Sequence, residues 1–436
     1  MKNRRALVWF RNDLRVADND ALLSACEQYK EVYTAFCWDH RWNETTPYGG
    51  LAKMGDFRKK FLLESIQNLS NNISQLGGKL ILLQGLPPLE IAALALKLDI
   101  STVFYSKEVC TEEINDELLL QRELDRMGKD WEEKWTSTLI EKNDLPFSLQ
   151  QLPDVFTKFR NKVERECSYL RPLKAPDRIH APEAANAESI DLFPSFEKQE
   201  SSDTRAVMRF HGGEQSGLDR LNEYVWKEEH IVTYKETRNG LVGKNYSSKF
   251  SPWLANGSLS PKIIVNEILD FEEEKVKNDS TYWMIFELLW RDFFRFTAAK
   301  QGSKLFQLHG FNAQAARKWR RDMRTFEAWC DGYSGDDFVD ANMLELKHTG
   351  WMSNRGRQNV ASYFVHDLGM DWRWGAAYFE KMLIDYDPAS NWGNWAYIAG
   401  VGNDPRPDRK FNTQKQASDY DRDRTFRNLW LNKTTA

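Results

Sequence analysis

Glu287 and Arg291 stand four residues apart in TYWMIFELLWRDFFRF (281–296), the spacing that places two side chains on one helix face. The pair reads either as an ordinary ion pair at a helix edge or as a carboxylate lining a cavity. The second reading follows because a Glu flanked by Phe286 and Leu288 is costly to bury without a partner. Trp283 and Trp290 are placed to wall the same cavity. In TGWMSNRGRQN (349–359), Gly350 can end one helix and Asn354 can start the next. Arg355 and Arg357 carry planar forks suited to phosphate or carboxylate, and Gly356 between them permits close backbone approach. A solvated arginine pair is the plainer alternative. In LIDYDPASNWGNWAYIAGVGND (383–404), Asp385 and Asp387 lie two apart, in a turn ending at Pro388. Two carboxylates near a turn can hold Mg²⁺ or Ca²⁺. Trp392, Trp395 and Tyr397 provide no oxygen-rich shell, however, and the next ligand candidate is only Asn391. Carboxylates that hold arginine forks or the N–H groups of an aromatic ligand suit these surroundings better, and no metal is expected. Ser247, Ser248 and Ser251 with Lys249 form a hydroxyl-rich loop before Pro252. Such a loop can cradle a phosphate near a helix start, or simply cap the helix.

Other patterns exclude chemistry. The seven histidines show no HxxH or HExxH spacing, so a catalytic zinc is not expected. No GxSxG elbow occurs, and the first apolar run is followed by RNDLR rather than a glycine-rich phosphate loop. Cys26, Cys37, Cys110, Cys167 and Cys330 are scattered without CxxC, which argues against a disulfide scaffold and fits a reducing compartment, with a cytoplasmic location expected. The N-terminus MKNRRALVWFRND lacks a signal-peptide core. The longest apolar stretches, such as 282–290, fall far short of the ~20 residues of a membrane span. With 60 Lys+Arg against 64 Asp+Glu, net charge −4, a globally basic nucleic-acid binder is excluded, though a local basic patch is not. Twelve of the 17 tryptophans lie from Trp226 onward, a density that suggests stacking surfaces or a redox-active interior.

The elements that must position these residues divide the chain in two. Short apolar runs at 5–10, 32–38, 79–84 and 102–105 read as buried strands. Helical patterns at 19–29, 54–76, 89–98 and 112–127 alternate with them, the signature of βαβ units on a parallel sheet. Residues 140–204 are rich in proline and polar residues and read as a long, partly irregular connector over the surface. Helical patterns at 217–228, 260–277, 282–301, 313–331, 342–347, 358–368 and 374–384 give an all-α second half. The expected organisation is an α/β domain at 1–139, a linker at 140–204 and a helical domain at 205–436.

Taken together, VWFRNDLRVADNDAL (8–22), YKETRNG (234–240), SSKFSPWLANGSLSP (247–261), FELLWRDFFR (286–295), TGWMSNRGRQNVASYFVHDLGMDWRWGA (349–376) and LIDYDPASNWGNWAYIAGVGNDPR (383–406) resemble the photolyase/cryptochrome family, most closely its DASH cryptochrome branch. The resemblance runs nearly the whole length and implies an N-terminal α/β domain, a linker and a helical domain that holds FAD. It implies Tyr234, Ser247, Ser248, Lys249, Phe250 and Ser251 around the phosphates and ribityl chain. It implies Arg291, Trp351, Asn354, Arg357, Asp385, Asp387 and Asn391 around the remainder of the cofactor, with Asn391 facing flavin N5. Trp395, Trp372 and Trp319 match the electron-transfer chain, and Glu287 matches the carboxylate that contacts a flipped pyrimidine dimer. Arg238, Trp290, Arg355, Gln358, Tyr397, Arg409 and Lys410 fall on the substrate side. Gln358 stands where duplex-active members commonly have Met, and Tyr397 where they have Trp. The implied function is light-driven repair of cyclobutane pyrimidine dimers, preferentially in single-stranded DNA, with RNA or double-stranded DNA as further partners and a monomeric chain. The alternative is a blue-light photoreceptor that binds nucleic acid with little repair. A methenyltetrahydrofolate antenna is expected in the N-terminal domain, with Glu108 among its contacts.

Overall fold

RALVWF forms the last six residues of a strand whose residues Ala6 to Phe10 are all buried, because both of its faces are covered by helices. The computed structural model describes residues 2–181, 203–311, 318–403 and 410–432. In the first part, β1 (Lys2–Phe10), α1 (Asp20–Gln28), β2 (Tyr29–Asp39), α2 (Asp56–Gln75), β3 (Leu80–Gly85), α3 (Pro87–Lys97), β4 (Ile100–Ser106), α4 (Thr111–Arg126) and β5 (Asp130–Lys134) follow in turn. The sheet order is β3-β2-β1-β4-β5, and every pairing is parallel. Alternate β1 residues face different layers: Ala6, Val8 and Phe10 pack towards α1 and α2, whereas Leu7 and Trp9 pack towards α3 and α4. The strand order reverses between β1 and β4, the place where open α/β sheets form clefts beyond their carboxyl ends.

The second part is helical. Its elements are α5 (Phe156–Glu166), α6 (Glu214–Asn222), α7 (Tyr234–Thr237), α8 (Ser251–Ala255), α9 (Pro261–Glu274), α10 (Asp279–Gln301), α11 (Met323–Cys330), α12 (Asp337–Thr349), α13 (Asn354–Ser362), α14 (Trp372–Met382), α15 (Pro388–Ile398), α16 (Thr413–Tyr420) and α17 (Thr425–Leu431). Helix α10 opens with a capping box at Asn278 and Thr281, which fixes the phase at which Glu287 and Arg291 emerge. Helices α14 and α15 pack closely because Gly375 lacks a side chain: a Cβ there would meet Trp395 Cη2 at 2.2 Å.

Several expected elements take a different form. A fifth strand, DWEEK, escapes the apolar pattern because it is the sheet edge, with three of its five residues exposed and none buried. The connector carries α5, whose Phe156, Phe159 and Val163 are buried; its residues 182–202 lie outside those described. The helix expected at 313–331 is only α11 in its described part, started by Asp322 accepting from the Thr325 N–H. Helices α6 and α13 each end in a wider turn, at Glu223–Lys227 and Tyr363–Asp367. Residues 388–398, read as a turn and site segment, form α15, with Pro388 in its first turn and Asp387 capping the Ser390 N–H.

Buried charges tie the two parts together. Arg15, 1% exposed, donates to the backbone carbonyls of Gly257 at 2.8 Å and Thr136 at 3.0 Å. Glu214 accepts from the Val16 and Ala17 N–H groups, both at 3.0 Å. Gly257 makes this closeness possible, since a Cβ there would lie 2.0 Å from the Asn12 carbonyl.

Candidate active site

Helix α10, the 247–251 loop, the start of α13 and the turn into α15 enclose a cavity of about 540 Å³, a size typical of cofactor sites. Tyr234, Ser247, Ser248, Lys249, Phe250, Ser251, Glu287, Arg291, Trp351, Asn354, Arg357 and Asp385 all line it. Arg238, Trp290, Arg355, Gln358 and Tyr397 line it as well. One wall is the hydroxyl loop. Lys249 adopts a left-handed φ of 61°, a conformation that costs a non-glycine residue about 1–3 kcal/mol and persists where the surroundings demand it. Its ammonium sits 3.1 Å from the centre of the Tyr246 ring and 3.2 Å from Ser247 Oγ. Burial drives its pKa well below the usual lysine range, against the pull of Glu345.

The opposite wall is charged and aromatic. Glu287 is not partnered by Arg291, contrary to the helix-edge reading. Arg291 turns away to the carbonyls of Ser137 and, at 3.0 Å, Leu254. Glu287 Oε1 instead accepts from Arg238 Nη1 at 2.6 Å and Trp283 Nε1 at 3.1 Å. Among the described residues Oε2 takes no hydrogen bond. Burial raises the Glu287 pKa, with Arg238 and then Trp283 opposing. Trp290 stacks on Phe156 at 3.7 Å and meets Tyr397 edge-on at 6.3 Å. Arg355 donates to Asn239 Oδ1 at 2.8 Å and to Gln358 Oε1 at 3.0 Å. This gives the mouth an arginine-rich rim that includes Arg238.

At the cavity floor, Arg357 Nη2 donates to Asp385 Oδ2 at 2.8 Å. Asp385 Oδ1 is buried without a hydrogen-bond partner, so it offers a strong acceptor to a ligand N–H. Asp387 does not line the cavity. It is held by Arg295, Nη1 to Oδ2 at 2.9 Å, with its pKa lowered although burial, the largest influence, pushes it up; Arg295 is the foremost opposing charge. Asn391 also lies outside the lining and donates through Nδ2 to the Ala376 carbonyl at 3.0 Å, while Ser390 and Asn394 face the cavity. Lys410 pairs with Asp367 at 2.5 Å, away from the cavity lining. Arg409 lies outside the described residues.

The tryptophans occupy the core behind the cavity. Trp395 is 2% exposed and Trp372 is fully buried. Trp395 packs on Phe379 at 5.1 Å, and Trp372 meets Trp392 at 5.7 Å. Trp319 is half-buried, and backbone bonds from Arg320 N to Gly369 O and from Asp371 N to Arg320 O hold its segment beside the start of α14.

Two buried charges went unread in the sequence. Arg295 joins Asp387 to Glu108, Nη2 to Oε2 at 2.6 Å, and Asp292 accepts from the Leu139 and Ile140 N–H groups. Both sit in FELLWRDFFRF, where the reasoning applied to Glu287 holds equally. Glu108, expected at an antenna, is 4% exposed in this domain junction and also accepts from Asn12 at 3.2 Å. A second cavity of about 130 Å³ lies instead beyond the carboxyl ends of β1 and β2, lined by Trp9, Arg11, Arg41, Trp42 and Glu113 among others. Glu113 Oε2 is buried there without a hydrogen-bond partner, and burial lifts its pKa to about 8.

Residues 283–436 match the family model described as the FAD binding domain of DNA photolyase, and residues 6–178 match the one described as DNA photolyase. Cryptochrome DASH of Synechocystis sp. is 47% identical over 426 residues, covering 98% of this chain and 87% of that protein. The crystal structure of the Synechocystis sp. PCC6803 cryptochrome superimposes with a TM-score of 0.95 at 47% identity, covering 99% of this chain and 89% of that one. The crystal structure of an archaeal photolyase from Sulfolobus tokodaii with two FAD molecules gives 0.79 at 25% identity, covering 98% and 90%. No helix among the described residues is long and apolar enough to cross a membrane.

Proposed function

The chain belongs to the photolyase/cryptochrome family, in its DASH cryptochrome branch, and from that membership we propose that it repairs cyclobutane pyrimidine dimers under blue light, preferentially in single-stranded DNA. The observation that carries the proposal is the 540 Å³ cavity, which sets a half-satisfied carboxylate on its floor and another, Glu287, near its arginine-rimmed mouth. The chain is built to hold FAD. The free Asp385 Oδ1 suits a ring N–H, and Arg357 beside it places a cation where a reduced flavin carries negative charge. Ser247, Ser248, Lys249 and Ser251 provide hydroxyl and ammonium groups for the phosphates. When bound, FAD supplies light-driven electron donation.

The remaining work belongs to the side chains. Arg238 and Arg355 bind the DNA backbone and set its register. Trp290 and Tyr397 stack on the extruded bases. Taking a base out of a duplex costs a few kcal/mol, so a single strand, already unpaired, is the easier substrate. In its protonated form, which burial favours and Arg238 opposes, Glu287 would donate a hydrogen bond as charge develops on the dimer. Trp395, Trp372 and Trp319 carry reducing equivalents inward from the surface. The second cavity, with its aromatic walls and the free Glu113 oxygen, is a better antenna location than Glu108, and a folate is the antenna proposed. Five free cysteines support a reducing compartment.

The test is repair of dimer-containing oligonucleotides, single- and double-stranded, by the flavin-loaded protein, read by chromatography of the repaired product. Faster turnover of the single strand is expected, as is a lower repair yield with flavin retained in Glu287→Ala. No turnover on either form refutes the repair reading and leaves a nucleic-acid-binding photoreceptor.

A further inference from the structure

Glu287 can donate a hydrogen bond to a dimer only when it carries a proton, yet without DNA it stands in an ion pair. Arg238 Nη1 donates to its Oε1 at 2.6 Å, and Trp283 Nε1 donates to the same oxygen at 3.1 Å. The side chains of Glu287 and Arg238 keep 28% and 21% of their surfaces open, and both line the cavity. Arg238 lies just past the end of α7, with its guanidinium 5.3 Å from the centre of the Trp283 ring. It is also a rim cation, of the kind that DNA phosphates engage. One cation thus stands before two anions, the carboxylate it holds and the phosphate that approaches.

We propose that Arg238 couples binding of the damaged strand to protonation of Glu287: a phosphate of the strand takes over the guanidinium, and the carboxylate, short of its cation and covered by the dimer, takes one proton from solvent. The inference rests on the repair reading of the preceding section. The proton leaves water or buffer and forms an O–H bond on a Glu287 oxygen; no electron moves. A guanidinium, a carboxylate and a phosphate together carry one negative charge, and the added proton cancels it as the dimer closes the mouth to water.

A phosphodiester is far too acidic to take a proton near neutral pH, so the adjustment falls on the protein. Each of the other groups around Glu287 has a role of its own. On α7, burial and Glu287 itself push the Tyr234 phenol well up, which keeps it neutral. Lys235 pairs with Asp279 at 2.7 Å, and Glu236 accepts from Ser280 Oγ at 2.8 Å. On α5, Arg160 stands 5.3 Å over the Phe286 ring and pairs with Glu164 at 3.4 Å. On α13, Arg355 donates to Asn239 and Gln358 and serves phosphate itself. From α15, Tyr397 brings a phenol to the cavity. For Glu287, burial already favours the acid, and Arg238 is the foremost influence against it, ahead of Trp283. Drawing the cation away and excluding the remaining water therefore act in the same direction. The coupling places the proton on Glu287 when a dimer is present to receive the hydrogen bond.

The experiment is calorimetric titration, in the dark, of the flavin-loaded full-length protein with a single-stranded oligonucleotide carrying one dimer. It is run at neutral pH and fixed salt in two buffers of different ionisation enthalpy, so that the difference in heat counts protons. Uptake of about one proton per bound strand is expected. The bound state holds the extra proton, so affinity should fall as pH rises, by up to about tenfold per pH unit. Glu287→Gln should abolish the uptake and flatten the pH profile. Uncharged methylphosphonates in place of the phosphates at the dimer should also abolish the uptake in the unaltered protein, because Arg238 then stays with Glu287. Binding without proton uptake, or uptake that survives Glu287→Gln or the methylphosphonates, overturns the coupling. Repair of the bound strand on illumination, with no uptake in the dark, overturns the coupling and leaves the repair reading standing; absence of binding overturns both. If Glu287→Gln does not fold, the methylphosphonate strand decides with the unaltered protein.

Discussion

Replacing Asp385 with Asn separates a cofactor-binding carboxylate from a merely structural one. Asp385 is 8% exposed; Oδ2 accepts from Arg357 at 2.8 Å, and Oδ1 has no hydrogen-bond partner among the described residues. The carboxylate can therefore serve Arg357 and a ligand N–H at once, one oxygen each. The amide of Asp385→Asn has one acceptor oxygen. Whichever way it turns, its NH₂ faces either the Arg357 guanidinium or the ligand donor. The loss is one hydrogen bond to a charged acceptor, about 1.5–3 kcal/mol. At 1.4 kcal/mol per decade this weakens FAD binding by about 10- to 150-fold. The assay is titration of the flavin-free protein with FAD, followed by the change in flavin fluorescence on binding. The volume and shape of the cavity floor stay the same, so packing contributes little to the difference. An affinity within about threefold of the unaltered protein, under 1 kcal/mol, would refute the assignment of the free oxygen to a ligand donor.

Two further outcomes concern the supports of the site. Arg295→Met leaves Glu108 and Asp387 buried without their shared cation, which should cost about 3–5 kcal/mol in urea denaturation. Adding Glu108→Gln and Asp387→Asn should recover most of that loss; no recovery would show that the loss came from packing. Burial holds Asp292 at about 6 despite the backbone N–H groups it accepts from. Between pH ~4 and ~6 the folded state then binds more protons than the unfolded one. Stability from this group falls as pH rises through that window, by about 3 kcal/mol, and is flat above it. Denaturation midpoints across the window in the unaltered protein and in Asp292→Asn check this: the substituted protein should lose that part of the slope.

The sheet was legible because parallel strands covered on both faces are apolar throughout, as in RALVWF and TVFY; DWEEK was not, because an edge strand need bury little. The long helices were legible from their periodicity, whereas the wide turns at 223–227 and 363–367 keep a helical pattern while changing the hydrogen bonding. The site was legible as a set of chemistry-bearing segments but not as pairs. Helical spacing joins Glu287 to Arg291, yet backbone carbonyls at Ser137 and Leu254 claim the arginine, and Arg238, 49 residues earlier, takes the carboxylate. Glu108 in YSKEV was expected among the contacts of an antenna, and nothing in that segment names its partner. Only the folded chain brings Arg295, 187 residues later, against it.

That last contact bears on how the proposed antenna and the proposed redox site would cooperate. Energy transfer between two chromophores depends on their separation and mutual orientation, so a loose junction between the sheet and the helices would degrade it. An apolar interface can slide by small steps at little cost. Buried ions cannot, because displacement leaves a charge without its partner. Arg15 on Gly257, Glu214 on the Val16 and Ala17 N–H groups, and Arg295 between Glu108 and Asp387 all cross the junction. Asp387 is also the cap of α15, the helix that carries Asn391 and Trp395. Through Arg295, Glu108, two residues past the end of β4, and the helix behind the large cavity share one buried charge network. The carboxyl end of β4 is thereby coupled to the helix that carries Trp395, which an equally stable hydrophobic seam would leave less closely fixed.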